Sequence, residues 1–328
     1  MHPGYFPVFF WSLLILVSFW GYGELLRRRI NRPEFADIGW GLTCAWGVSV
    51  VLAVGGILMA LRLAKAQNLT LVVLFGAAAA FYYAVQRAAD FTSSKSKVRN
   101  SKFSASGRFI LHPSSFILYG LALLTFASSI AWPFQIDPND DLICYLMLPE
   151  KILQTGTLID PFSFRRPGSL GGHWFLEALV MIVGADRSGH VVDSGIARIV
   201  LFGIVLGLPY ESGRLGSVQR WVLALVALLY PIPRINTMSA LTGSTTLLAL
   251  AVTLSKVKPT GTLSSAFLSW LPVALMVGCA SLMRPYFALA AAGLFLLGWM
   301  VYAKDAKHPP QIQLILLVTA LATQGTFQ

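Results

Sequence analysis

The sequence predicts an all-α protein, a polytopic transmembrane bundle of about nine to eleven membrane segments with an extracytoplasmic loop that carries interfacial helices. Three observations predict it. Of 328 residues, 56% are apolar and only 12% are charged, about half the charged share of a soluble domain. The apolar residues gather into runs near the ~20 residues that a helix needs to cross hydrocarbon with its backbone satisfied. Basic residues exceed acidic ones by 11, and they sit in short connections between the runs. That distribution orients a membrane protein and gives no footprint for nucleic acid. A disordered chain, a disulfide scaffold and an ordinary soluble enzyme are excluded. Cys44, Cys144 and Cys279 are scattered and form neither a metal cluster nor a disulfide pattern.

Tyr5–Leu26 is the first span, and Arg27, Arg28, Arg29 and Arg32 follow at once. No Lys or Arg precedes it and it is too long for a signal-peptide core, so it reads as a span with the N-terminus outside. Gly39–Leu61 returns outward and Leu69–Val85 comes back, which makes 1–86 an N-terminal group of transmembrane helices. Asn68-Leu69-Thr70 matches a glycosylation acceptor but reads as a helix start. The segment 87–112 sets Arg87, Lys95, Lys97, Arg99, Lys102 and Arg108 against Asp90 alone. Basic and serine-rich, it reads as a cytoplasmic linker or as an insertion peculiar to this chain.

Ser115–Phe134 takes the chain outward and opens a core that runs through 113–328. Eight of the fourteen acids, from Asp137 to Asp193, then fall in one outer loop, 135–195. Within that loop GHWFLEALVMIVG (172–184) is apolar but short for a span and contains Glu177. If it crossed, Lys256, Lys258, Lys304 and Lys307 would face outside, against the positive-inside tendency. It therefore reads as re-entrant or interfacial. Spans then follow at Ile196–Tyr210 inward, Trp221–Pro231 outward, Ser239–Leu254 inward, Phe267–Met283 outward and Tyr286–Tyr302 inward. Arg214 and Arg220 fall in the cytoplasm on this reading. The last apolar run, Ile312–Thr323, stops almost at once, as in a truncated chain.

The chemistry-bearing residues concentrate in the outer loop. Asn139 or Asp140 is a good helix N-cap, and Leu142, Tyr145, Leu146, Ile152 and Leu153 recur at helical spacing. Pro149 starts a second helical piece that Gly156 closes. Two roles are open to Asp140 and Asp141. One is capping and solvation. The other is a general base beside the membrane surface, with the second acid holding a divalent cation. Adjacent helical side chains point ~100° apart, so the two acids do not share one task.

Arg165 and Arg166 suit a phosphate, because a guanidinium grips two oxygens at once, though pairing with Asp160 is equally open to them. His173 reads as a structural polar residue or a base. Tyr145 and Trp174 suit the interface. Glu177 inside an apolar helix is costly and marks a functional candidate if it faces a cavity. Arg234 and Arg284, at outer ends of spans, reach into a cavity for a lipid phosphate or snorkel to headgroups.

An outer loop that opens with an acid pair, then a Tyr, a helix ending in Gly and an apolar segment, resembles the GT-C membrane glycosyltransferases. The similarity is to their protein-mannosyltransferase and aminoarabinose-transferase branch. It rests on Asp137–Leu179, continues through ARIVLFGIVLGLPYESGRLGSVQRWVLALVALLYP, and covers Ser115–Tyr302. The resemblance implies transfer of a sugar from a polyprenyl-phosphate donor to an acceptor on the extracytoplasmic side. It places the general base at Asp140 or Asp141, Asp141 preferred, and the carrier phosphate at Arg165, Arg166 or Arg284. Tyr145, His173, Glu177 and Arg234 complete the expected substrate-binding set. The expected partners are the lipid-linked sugar and the bilayer itself, and the expected location is the cell membrane, in a bacterium the inner one. A multi-pass transporter and a non-catalytic membrane scaffold are the alternative classes.

Overall fold

An apolar helix in lipid must satisfy its backbone internally and then bury its small residues against neighbours. The computed structural model describes residues 5–94, 113–131, 146–158, 171–183, 188–208, 214–230, 239–257 and 263–305. Among them every regular element is helical. They are α1 (Tyr5–Ile30), α2 (Trp40–Ala60), α3 (Ala66–Ser94), α4 (Pro113–Ala131), α5 (Met147–Thr155) and α6 (Gly172–Met181). A π-helical turn, Val192–Ala197, leads into α7 (Arg198–Gly207). The chain continues as α8 (Arg214–Leu229), α9 (Ala240–Lys256), α10 (Leu263–Ser281) and α11 (Pro285–Asp305).

Three described helices are long and apolar enough to cross a membrane: Tyr5–Ile30, Trp40–Ala60 and Ala66–Ala89. Shorter apolar stretches lie at Phe116–Ile130, Gly216–Leu229, Ala266–Ser281 and Pro285–Val301. Burial separates the three long ones. In its apolar window α2 is 72% buried and forms the centre of the bundle, whereas α3 is 22% buried and lies at its edge. Glycine permits the central crossing. A side chain at Gly23 would strike the Thr43 carbonyl, and one at Gly47 the Phe19 carbonyl, so α1 and α2 meet backbone to backbone.

Neighbouring helices alternate in direction, and side-chain contacts fix which ends meet. At one end Tyr5 Oη donates to Ala127 O (3.0 Å) and Ala64 N to Gly156 O (3.2 Å). Arg198 donates to Tyr230 O (3.0 Å) at the same end. At the other end Ser269 Oγ donates to Glu34 (3.1 Å), Gly39 packs on Gly207, and Arg27 and Arg28 hold Glu24. We call these the loop end and the arginine end.

Helix α6 does not run the length of the bundle. Ten residues rise about 15 Å, half the hydrocarbon thickness. It starts at the loop end, where Gly172 N donates to Leu282 O (3.2 Å), and runs inward until Trp11 Nε1 donates to Leu179 O (2.7 Å). The Phe175 ring presses on Gly55 of α2. The chain is back at the loop end by His190, whose Nε2 lies 2.9 Å from Ser129 O near the end of α4. All ten residues of α6 are buried.

Several expected boundaries move. The segment 87–94, expected as linker, continues α3, because Gln86, Arg87, Ala88 and Ala89 are strong helix formers. Arg214 and Arg220, expected in a loop, lie on α8 for the same reason. Helix α5 starts at Met147, with Pro149 tolerated in its first turn, and Gly156 ends it at φ 78° as expected. The helical run expected from Ile196 starts at Val192 in π form. SALTGSTT (239–246) is the first two turns of α9. The run Ile312–Thr323 lies outside the described residues.

Candidate functional site

His173 and Glu177 stand four residues apart on α6 and therefore share one face. His173 Nε2 lies 3.2 Å from the Glu177 carboxylate, with the two side chains 2% and 0% exposed. Gly189, on the returning strand of chain, sits against that carboxylate. Docking of the Gly172 amide on Leu282 O brings the first turn of α6 beside the α10–α11 connection, which carries Arg284. Arg284 Nε donates to Ser239 Oγ (3.3 Å), the residue that precedes α9.

The N-terminus of α9 is closed from another element. Asp193, on the π turn and 3% exposed, accepts from Leu241 N (3.0 Å), Thr242 N (2.6 Å) and Thr242 Oγ1. A carboxylate there satisfies free backbone donors and meets the positive end of the helix dipole. The charges of Asp193 and Arg284 both reach His173. Two acids and one imidazole are thus buried near a partly exposed guanidinium, a set that is formally neutral when the imidazole carries a proton. Such a cluster is retained inside apolar surroundings only if its members pair.

Leu176, beside Glu177, lines a cavity with Phe19, Val48, Ile196, Thr242 and Thr245. At about 20 Å³ it holds roughly one water. A sugar or a lipid tail does not fit in it, and Glu177, which faces His173 and Gly189, is not among its lining residues. Among the described residues no group of three or more His, Cys, Asp and Glu gathers as metal ligands do.

Three expected site residues, His173, Glu177 and Arg284, therefore come together although the last is more than a hundred positions away. Asp140, Asp141, Tyr145, Arg165, Arg166 and Arg234 lie outside the described residues. Trp174, expected as an interfacial anchor, is buried at 9% exposure, because α6 enters the bundle instead of lying on its surface. Asp193 carried no expected role beyond loop charge and is instead buried. The signal for it is an acid in HVVDSGIARIV, where an apolar helical run makes a charge costly. Comparison with known proteins adds no assignment: no family model, no curated protein and no solved structure matches this chain.

Proposed function

We propose that the protein is a multi-pass membrane glycosyltransferase that moves a sugar from a polyprenyl-phosphate donor to an acceptor hydroxyl at the loop end of the bundle, on the extracytoplasmic side. The observation that carries this reading is the polar set of buried His173, Glu177 and Asp193 with partly exposed Arg284, on and around the short buried helix α6. A lipid-linked donor keeps its phosphate at headgroup level and its tail in hydrocarbon. An enzyme for it needs charged groups held inside a helix bundle near one face, and α6 supplies that placement. Helix α5 comes back to the same end through Gly156 and Ala64, one residue after the acid-rich stretch 137–145.

In this proposal Asp141, or Asp140, takes the proton of the acceptor hydroxyl as its oxygen attacks the anomeric carbon of the donor. The bond from that carbon to the phosphate oxygen breaks, and polyprenyl phosphate leaves with the electron pair. Arg284, with Arg165, Arg166 and Arg234, binds the phosphate. Tyr145, His173 and Glu177 line the substrate side, and a divalent cation, if one is used, falls to the second acid of the pair. General-base assistance contributes about 10²–10⁴-fold in rate. Asp141→Asn and Asp140→Asn, tested singly for sugar transfer in membranes, should show a loss of about that size in one variant. Full transfer by both removes the proposal.

A second reading draws on the same cluster. Buried ionisable groups beside a broken helix also mark transporters, and here Asp193 lies on a π turn next to the re-entrant α6. Proteoliposomes separate the two. Uptake of substrate without transfer favours transport, and transfer without uptake favours the enzyme.

A further inference from the structure

We propose that the arginine end of the α1–α3 pair is a binding site for the phosphate of an anionic phospholipid. The inference rests on the membrane reading of α1 and α3, and does not depend on the glycosyltransferase proposal. Glu24 is fully buried near the end of α1 and gathers three guanidinium groups. Arg27 gives it Nε (2.8 Å) and Nη2 (2.6 Å), Arg28 gives Nε (3.3 Å), and Arg87 of α3 gives Nη2 (3.2 Å to each oxygen). Asp37 also acts on Arg27, so two acids against three arginines leave one positive charge unbalanced.

The donors left over belong to two of the three. Every nitrogen of Arg27 already has a partner, since its Nη1 donates to Ala36 O (3.2 Å). Arg28 spends Nη1 on Gln86 Oε1 (2.6 Å), and its Nη2 has no partner among the described residues. Arg87 has Nε and Nη1 in the same condition. Arg28 and Arg87 are 34% and 49% exposed and touch the same Glu24 oxygen, so their remaining donors face one small region. Their planes are fixed, Arg28 over the Tyr83 ring at 4.5 Å and Arg87 over Trp20 at 5.6 Å. Held guanidinium forks of this kind fit phosphate oxygens better than flexible lysines do.

The surroundings select a lipid over a free anion. Phe81, Tyr82 and Val85 on α3 are exposed at 73%, 57% and 52%, on the helix that carries Arg87. Tyr82 accepts from Gln86 Nε2 (2.6 Å), the residue that holds Arg28, so exposed apolar surface of α3 adjoins the charges on the Arg28 side. Phosphate and tails of one phospholipid would be met by one edge of the bundle.

Native mass spectrometry of the full chain in detergent tests this, with phosphatidylglycerol and phosphatidylcholine of equal chain length as probes. At about fivefold per basic side chain near a membrane surface, two arginines give roughly a 30-fold preference for phosphatidylglycerol. Arg28→Gln/Arg87→Gln should bring the preference close to one, while Arg29→Gln, which is exposed and outside the cluster, should keep it. Should the double variant fail to fold, Arg87→Gln alone must lose about fivefold. Equal binding of the two lipids by the native chain overturns the proposal, as does a preference that survives the double variant. So does inorganic phosphate that displaces phosphatidylglycerol at millimolar concentration, which would make the ligand a free anion. Recovery of the chain without detergent would instead overturn the membrane reading beneath it.

Discussion

His173 Nε2 lies 3.2 Å from the Glu177 carboxylate, one turn apart on a helix with no exposed residue. A pair so placed is costly to break and cheap to replace. Removing one partner strands a buried charge at about 3–5 kcal/mol, whereas apolar residues in place of both are often neutral. His173→Phe should therefore unfold more readily than His173→Phe/Glu177→Leu, measured by thermal unfolding in detergent. A double variant less stable than the single one would mean that the pair contributes net stability.

Asp193 is tied to α9 by three hydrogen bonds from Leu241 and Thr242. Bonds to a charged group contribute about 1.5–3 kcal/mol, and loss of an N-cap costs about 0.5–2 kcal/mol. Asp193→Ala should lower stability by about 2–3 kcal/mol and Asp193→Asn by about 1 kcal/mol, since Asn keeps an acceptor at the helix start. Denaturation by SDS in mixed micelles reads the order. If both variants match the native chain, the cap is not what holds α9 against the π turn.

The apolar helices were legible because their signal is local. Length and hydrophobicity alone place α1, α2 and α4 within a few residues of where they lie. The shortness of 172–184 was legible too, and α6 is a helix of ten residues. The cluster was legible only in parts. Glu177 draws attention as an acid in an apolar run, and Arg284 as a charge at a span end, but nothing local says that they meet. That follows from the Gly172–Leu282 contact between distant segments. Asp193 was hidden for a related reason: a cap is normally sought next to its own helix, and this one closes a helix 48 positions later. Glu24 was passed over inside a span, although an acid three and four residues before Arg27 and Arg28 is a pairing signal.

The α1–α2 crossing depends on two glycines whose added side chains would meet backbone carbonyls, which do not yield as a flexible side chain would. Overpacking costs about 1–3 kcal/mol where neighbours adjust, and more where they are backbone. Gly47→Leu should therefore separate α1 from α2 and lower folded yield sharply. Gly293→Leu is the control, because nothing lies within 4 Å of a carbon added there. Equal losses in both variants would trace the effect to insertion and not to the crossing.

The side of the membrane that each end of α6 faces decides where the polar groups lie, and single cysteines test it. Cys144 is replaced by Ser, and the buried Cys44 and Cys279 are left in place. Arg62→Cys reports the α2–α3 turn, Gln154→Cys the end of α5, Ser188→Cys the chain after α6, and Asp37→Cys the arginine end. A membrane-impermeant maleimide added to intact cells should label the first three and reach Asp37→Cys only after lysis. The positive-inside tendency fixes that sign, since Arg27, Arg28, Arg29 and Arg32 crowd the end that carries Asp37. Gln154→Cys and Ser188→Cys on opposite sides would mean that α6 crosses. All four reversed would put the cluster on the cytoplasmic side, away from an extracytoplasmic donor sugar, and the glycosyl-transfer proposal would go with it.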